Sequence, residues 1–288
     1  MSVTPFQLPF HRTTVTGTLY IVATPIGNLE DITLRARRVL RECDWIACED
    51  TRQTRKLLEH LNISKPLVSY YEHNEAARAA ELVAKLQAGG KVALVSDAGT
   101  PLISDPGYRV VTAAIDAGIA VVPIPGVTAA MSALSASGLA TDSFRFCGFL
   151  PAKSSQRRKM LEQLKPETCT LIFYETPHRI LDALTDVEAV MGSRPAVVAR
   201  ELTKIHEEFL RGTAAEIRPT LAARPSVKGE ITLLIGKAES AATADDTPLE
   251  DAVRAAEKQG LSRMDAIKRV AKERGLSKRE VYRTITGE

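Results

Sequence analysis

The sequence predicts an α/β protein: two α/β domains, the first built on a parallel sheet and the second on a mixed one, followed by a small helix-turn-helix-like module. Three observations predict it. Short β-rich runs alternate with amphipathic stretches from Thr18 onward, Gly/Pro-rich loops leave the ends of several runs, and residues 248–288 carry only helical patterns. A length of 288 residues suits roughly two domains and an appendage.

Residues 1–17 read as a flexible arm. Within 18–149, the first domain, Leu19–Ala23, Trp45–Cys48, Leu67–Tyr70, Val92–Ser96 and Ala120–Ile124 read as strands. Between them lie stretches such as 31–42, where Ile32, Ala36, Val39 and Leu40 share one helical face. Arg35, Arg37, Arg38 and Arg41 gather toward the C-terminal half of that helix, where cations suit the dipole. Repeated strand–helix units imply a parallel sheet with helices on both faces.

A second set of strands starts near Ser143: Phe144–Phe149, Thr170–Tyr174, Ala196–Arg200 and Ile231–Ile235, with Glu207–Leu210 a further candidate. The domain boundary is placed near Phe149–Pro151, so that 150–237 form the second domain. Residues 238–247 are small and polar and read as a linker. In 248–288, three helix starts are marked by Thr247, Ser262 and Ser277, each three residues before a carboxylate, the spacing of a capping box. From residue 261 onward there are eight Lys/Arg against four Asp/Glu, making this module basic.

Hydrophobic residues at 44% and charged residues at 25% exclude a disordered or fibrous chain, and a net charge of +3 permits an anionic partner without demanding one. The uncharged stretch from Ala117 to Thr141 contains Pro123, Pro125 and three glycines, so it reads as strand, turn and buried helix, not a membrane span. No signal-peptide core precedes it, and a cytoplasmic protein is expected. Four cysteines without a C-x-x-C spacing predict neither a metal site nor a disulfide framework.

Chemistry in a parallel sheet gathers at strand ends. Thr24-Pro25-Ile26-Gly27-Asn28 follows the first strand, yet neither G-x-G-x-x-G nor G-x-x-x-x-G-K-[ST] occurs, which removes support for a nicotinamide fold or a P-loop. Ser96 through Gly107 reads either as a rigid loop around a small polar ligand or as a long turn in which Asp105 caps a helix beginning at Pro106. The small residues of Pro125 through Gly138 allow close approach to a ligand or to a sheet. Glu49-Asp50-Thr51-Arg52 offers two carboxylates for base catalysis, or a helix cap. Lys153, Arg157, Arg158 and Lys159 form a basic run that is either a solvated face or a phosphate contact.

Taken together, these loops resemble the tetrapyrrole (corrin/porphyrin) methylase superfamily over about residues 18–237. Thr24–Asn28, Glu49–Arg52, Ser96–Gly107, Phe173-Tyr174-Glu175, Arg200-Glu201-Leu202-Thr203-Lys204 and Lys228-Gly229-Glu230, with the basic tail, resemble one branch. That branch is the small-subunit ribosomal RNA methyltransferase I family, which methylates a cytidine ribose 2′-hydroxyl in the decoding region of 16S rRNA. The corrin branch has Gly-x-Gly-Pro-Gly-Asp where this chain reads Ala23-Thr24-Pro25-Ile26-Gly27-Asn28.

The resemblance implies S-adenosyl-L-methionine as cofactor, held in a cleft between the two domains of a homodimer. Its contacts would fall at Pro25, Ser96, Asp97, Thr100, Thr128, Ala129, Tyr174, Leu202, Glu230 and Ile231. A ribose hydroxyl needs help losing its proton, and Glu49, Asp50, Glu175 and Glu201 are the candidate bases, with Lys204 steadying the developing oxyanion. The 16S rRNA, within the small ribosomal subunit, would be held by Arg52, Arg55, Lys153, Arg157 and Arg158. Two other readings stand beside this one: a methylase of a small tetrapyrrole-like molecule, and a DNA-binding regulator acting through the tail.

Overall fold

A computed structural model describes residues 17–238, 247–274 and 276–286. The expected arm, save Gly17, and the expected linker, save its two end residues, lie outside the described residues.

The first sheet contains β1 (Thr18–Val22), β2 (Trp45–Cys48), β3 (Leu67–Ser69), β4 (Lys91–Val95) and β5 (Ala120–Ile124), in the order β3-β2-β4-β1-β5. Every pairing is parallel. Leu19 and Val22 in β1, and Val92 through Val95 in β4, are buried because these central strands are covered on both faces, which is why they read as unbroken apolar runs.

Helices α1 (Leu34–Glu42) and α2 (Thr51–His60) cover one face, closing a core of Val22, Val39, Leu40, Ile46, Leu58 and Ile124. Helices α3 (Glu75–Gln87) and α4 (Tyr108–Asp116) cover the other, over Leu19, Leu82, Leu86, Leu94 and Val110. Right-handed crossovers explain this division: the chain steps one way across the sheet from β1 to β3, then back to β4 and β5. Helix α1 starts later than residue 31. A single 3₁₀ turn, Leu29–Asp31, precedes it, and the Thr33 side chain accepts the Ala36 N–H as its cap.

The second sheet contains β6 (Phe144–Phe149), β7 (Thr170–Glu175), β8 (Pro195–Arg200), β9 (Glu208–Thr213) and β10 (Ile231–Ile235), in the order β6-β7-β10-β8-β9. Only β6–β7 is parallel, so the sheet is mixed, as the sequence predicts. The boundary expected near residues 149–151 needs correction. Strand β6 hydrogen-bonds to β7, so the change of sheet falls between β5 and β6.

Helix α5 (Ala129–Ser137) lies against this second sheet, with Ala130, Ala133 and Leu134 packed on Ile172, Val197, Ala199 and Leu234. Its small residues thus serve close helix–sheet packing. Helices α6 (Ser154–Leu164), α7 (Ile180–Met191) and α8 (Ala214–Ala222) cover the opposite face, where Leu171, Phe173, Leu233 and Ile235 point. Alternation along β7 and β10 supplies both faces.

Arg157 corrects a second expectation. It lies on α6 one turn before Leu161 and two before Leu164, on the inward face, and is 2% exposed. Its guanidinium pairs with Asp186 at 2.7 Å and also donates to the Pro151 and Ala152 carbonyls. It is a buried structural cation, not an RNA contact.

The tail folds as α9 (Leu249–Lys258), α10 (Arg263–Arg274) and α11 (Lys278–Thr286) around its own core of Val253, Ala256, Ile267, Val270 and Val281. Ser262 and Ser277 accept the N–H of Asp265 and Glu280, as the capping pattern predicts. Helix α9 differs: its cap is Pro248, which makes no side-chain cap bond. No helix among the described residues is long and apolar enough to cross a membrane.

Candidate active site

The loops after β1, β4 and β5 leave the same edge of the parallel sheet, and the second sheet faces them. Between the two halves lies a cleft of about 340 Å³, within the range of small-molecule sites. The first half lines it with Ile26, Asp97, Ala98, Gly99, Thr100, Ile103, Ser104, Asp105, Thr128 and Ala129. The second half contributes Phe149, Tyr174, Glu175, Thr176, Pro177, Leu202 and Gly229 through Thr232.

The loop after β4 is held rigidly by its own hydrogen bonds. Thr24 and Gly99 exchange N–H···O bonds of 2.8 and 2.9 Å, clipping this loop to the one after β1. Ser96 is 4% exposed and spends its hydroxyl on the Ala98 and Gly99 carbonyls. It shapes the loop without lining the cleft, and Pro25 is likewise absent from the lining. The other eight residues expected at the cofactor, Asp97, Thr100, Thr128, Ala129, Tyr174, Leu202, Glu230 and Ile231, all line it. Tyr174 is fixed edge-on against Phe146 and Phe149, with ring centroids 4.9 and 5.7 Å away.

Asp105 was open to reading as a helix cap. It is not one: α4 begins at Tyr108 behind Gly107, whose N–H is bound by Glu75, and Asp105 lines the cleft. Burial, with Glu49 and Asp97 nearby, pushes its carboxyl up to about 7. Asp97 is raised by burial too, while its Oδ1 accepts the Asp50 N–H at 3.1 Å. The candidate bases divide accordingly. Glu49 is raised, by partial desolvation and by Asp97 and Asp50. Asp50 caps α2 and is drawn down to about 2 by the Arg52 side chain. Glu175 is buried and raised by desolvation, although it is bonded to the Thr176 N–H and to Arg179. Glu201 is lowered by Lys204.

Lys204 joins two second-half loops, its Nζ lying 2.7 Å from Glu201 and 3.2 Å from Glu230. Glu201 and Thr203 hold positive φ values of 52° and 66°, a strain that clusters at functional sites. Two glycines make room for this knot. A Cβ at Gly229 (φ 91°) would stand 2.4 Å from the Glu201 side chain, and one at Gly27 2.4 Å from Lys204 Cγ. Thr203 Oγ1 also accepts the Asn28 N–H, so the knot spans both halves.

Of the remaining residues expected to hold RNA, Arg52, Arg55, Lys153 and Arg158 are exposed, with Arg52 paired to Asp50. Ile103, Ser104, Phe149, Thr176 and Pro177 were not anticipated at the cleft. For Ile103 and Ser104 the signal was present in the Ser96–Gly107 loop; for the others, only the approach of the second sheet reveals it.

Comparison with known proteins agrees with this architecture. Residues 18–218 match the family model described as Tetrapyrrole (Corrin/Porphyrin) Methylases. The chain is 51% identical over 272 residues to Ribosomal RNA small subunit methyltransferase I of Halalkalibacterium halodurans, covering 92% of this chain and 93% of that one. The protein of the same name in Synechocystis is 49% identical (92% and 96% covered), and that of Bacillus subtilis 42% (96% of each). Among solved structures, diphthine synthase superposes with a TM-score of 0.60 at 14% identity, covering 76% of this chain and 90% of that one. Uroporphyrin-III C-methyl transferase from Thermus thermophilus, complexed with S-adenyl homocysteine, does so at 0.54 and 19%, covering 76% and 97%. At such identities the structures share the fold. The family model and the close relatives establish that the chain belongs to the tetrapyrrole (corrin/porphyrin) methylases, in the branch of the ribosomal RNA small subunit methyltransferase I proteins.

Proposed function

We propose that this protein transfers a methyl group from S-adenosyl-L-methionine to the ribose 2′-hydroxyl of a cytidine in the decoding region of 16S rRNA, acting on the small ribosomal subunit as a homodimer. The observation that carries the reading is the 51% identity, along nearly the full length of both chains, to a relative named for small-subunit ribosomal RNA methylation. Neither a tetrapyrrole-like acceptor nor a purely DNA-binding role is favoured by that kinship.

The cleft lining fits the cofactor. Asp97 offers a carboxylate to its cationic groups, Thr100 and Thr128 offer hydroxyls, and Ile26, Ile103 and Leu202 offer apolar contact. When bound, the cofactor supplies an electrophilic methyl on a positively charged sulfur. The protein must then place a hydroxyl in line with it, and positioning of this kind is worth up to ~7–11 kcal/mol.

A base that accepts the hydroxyl proton works best with a pKa near neutrality. Asp105, Glu49 and Glu175 are shifted in that direction; Asp50 and Glu201 are shifted away from it. We assign proton acceptance to Asp105 or Glu49, with Glu175 as a buried, Arg179-paired wall of the cleft. We assign Lys204, fixed by Glu201 and by the cleft residue Glu230, to steady the forming oxyanion.

The experiment is transfer of labelled methyl from S-adenosyl-L-methionine to small subunits from cells lacking this protein, followed by nucleoside analysis. Label in 2′-O-methylcytidine is expected. Absence of label in RNA, with cofactor binding intact, overturns the reading.

A further inference from the structure

The helices of the first half are charged unequally on the two faces of its sheet. Helices α1 and α2 carry seven Lys/Arg against two Asp/Glu, whereas α3 and α4 carry three of each. Solvation does not require this difference, because an exposed helix face can be covered by charges of either sign. Helix dipoles do not explain it either. Arg35 and Arg52 stand in first turns, where a cation is unfavourable, and Arg41 alone lies in the last turn of α1 as a basic residue.

Packing decides where these cations point. Ala36, Val39 and Leu40 bury one face of α1, which leaves Arg35, Arg38 and Arg41 exposed and Arg37 at the flank. Thr54 and Leu58 do the same for α2, leaving Arg52, Arg55 and Lys56 exposed. Glu42 pairs with Arg38 and Asp50 with Arg52. Arg35, Arg37, Arg41 and Arg55 make no ion pair among the described residues.

Both helices begin at the rim of the cleft. The cap of α2, Asp50, donates its N–H to Asp97 in the cleft wall. The 3₁₀ turn before α1 is capped by Asn28, which is bonded to Thr203 of the facing half. Both helices pack on the same face of the sheet, over one core, and run away from the site.

We propose that the outer faces of α1 and α2 form one phosphate-binding surface, which carries an RNA backbone across the first half to the cleft. This rests on the RNA acceptor proposed above, and extends its contacts to Arg35, Arg37 and Arg41. A second copy of this chain is the wrong occupant, since two such cationic faces opposed across a two-fold axis repel each other.

The test compares the full-length protein with a R35A/R37A/R41A variant and a charge-preserving R35K/R37K/R41K variant. Binding to deproteinised 16S rRNA and to small subunits is measured across a salt series, with cofactor affinity as a check on folding. Three lost phosphate contacts should lower the slope of log Kd against log salt by roughly 2 and raise Kd on the order of tenfold or more. The lysine variant should keep the wild-type slope. An unchanged slope in the alanine variant overturns the proposal, as does an equal loss in the lysine variant. Weaker binding to the particle with an unchanged slope on bare rRNA also overturns it, because the face would then meet a ribosomal protein. If wild-type protein binds rRNA but methylates no small subunit, the proposed reaction fails while the surface is still judged by these slopes.

Discussion

Arg157 and Asp186 meet at 2.7 Å inside the second half of the molecule, their side chains 3% and 8% exposed. Ser154 donates its hydroxyl to the same carboxylate, at 2.9 to 3.0 Å from its two oxygens. Charges so enclosed are costly alone and tolerable only together. D186A should therefore destabilise the protein by about 3–5 kcal/mol, and an apolar pair, R157M/D186L, should recover most of that loss. Urea unfolding midpoints check both. A D186A protein as stable as wild type would mean that Arg157 reaches solvent after all.

Asp105 gives stability a pH dependence of defined sign. Its folded-state pKa of about 7 lies above the unfolded value of about 3.9. Between those values the folded state holds more protons, so its contribution to stability is lost as pH rises from ~4 to ~7. D105N should remove that loss, gaining relative to wild type at pH 8 but not at pH 4. Thermal melts at the two pH values suffice; equal differences at both would exclude the assignment.

The same residue separates catalysis from binding. If Asp105 accepts the proton, D105N should lose about 10²–10⁴-fold in kcat and its pH–rate profile should lose the limb near 7, with affinity for S-adenosylhomocysteine little changed. E49Q is the matched comparison, and the variant that keeps the limb is not the base.

Gly229 is required by the knot around Lys204. With φ at 91° and Glu201 atoms 2.4 Å from the position of a Cβ, G229A must displace either loop. It should weaken cofactor binding on the order of tenfold, by shifting Glu230 and Ile231 in the cleft wall, while costing global stability about 1 kcal/mol or more. Calorimetric titration against S-adenosylhomocysteine and a denaturation curve read the two effects separately.

The basic tail has its own core, separate from the clusters beneath the cleft. Removing residues 239–288 should leave cofactor affinity within about twofold and raise KM for small subunits, because only electrostatic contacts to RNA are lost. A truncated protein that no longer binds cofactor would show that the tail completes the cleft.

Local sequence determined the elements and most of the site's address. Apolar runs mark β2 and β10 at their observed bounds, because a strand buried on both faces admits little else, and β-branched or aromatic residues mark the edge strands β5 and β6 at theirs. Loops rich in Gly, Pro and Asp at strand ends mark one wall of the cleft, because that chemistry suits neither helix nor strand interiors. Tertiary structure alone decided the rest. Arg157 and Arg158 are neighbours in sequence, yet 100° of helical rotation buries one against Asp186 and leaves the other in water. Asp105 gained its shifted carboxyl only when the fold buried it, with Asp97 of its own loop and Glu49 from the end of β2 brought nearby. Phe149, Thr176 and Pro177 joined the site because a second sheet packs across the first, and nothing in local sequence carries that distance.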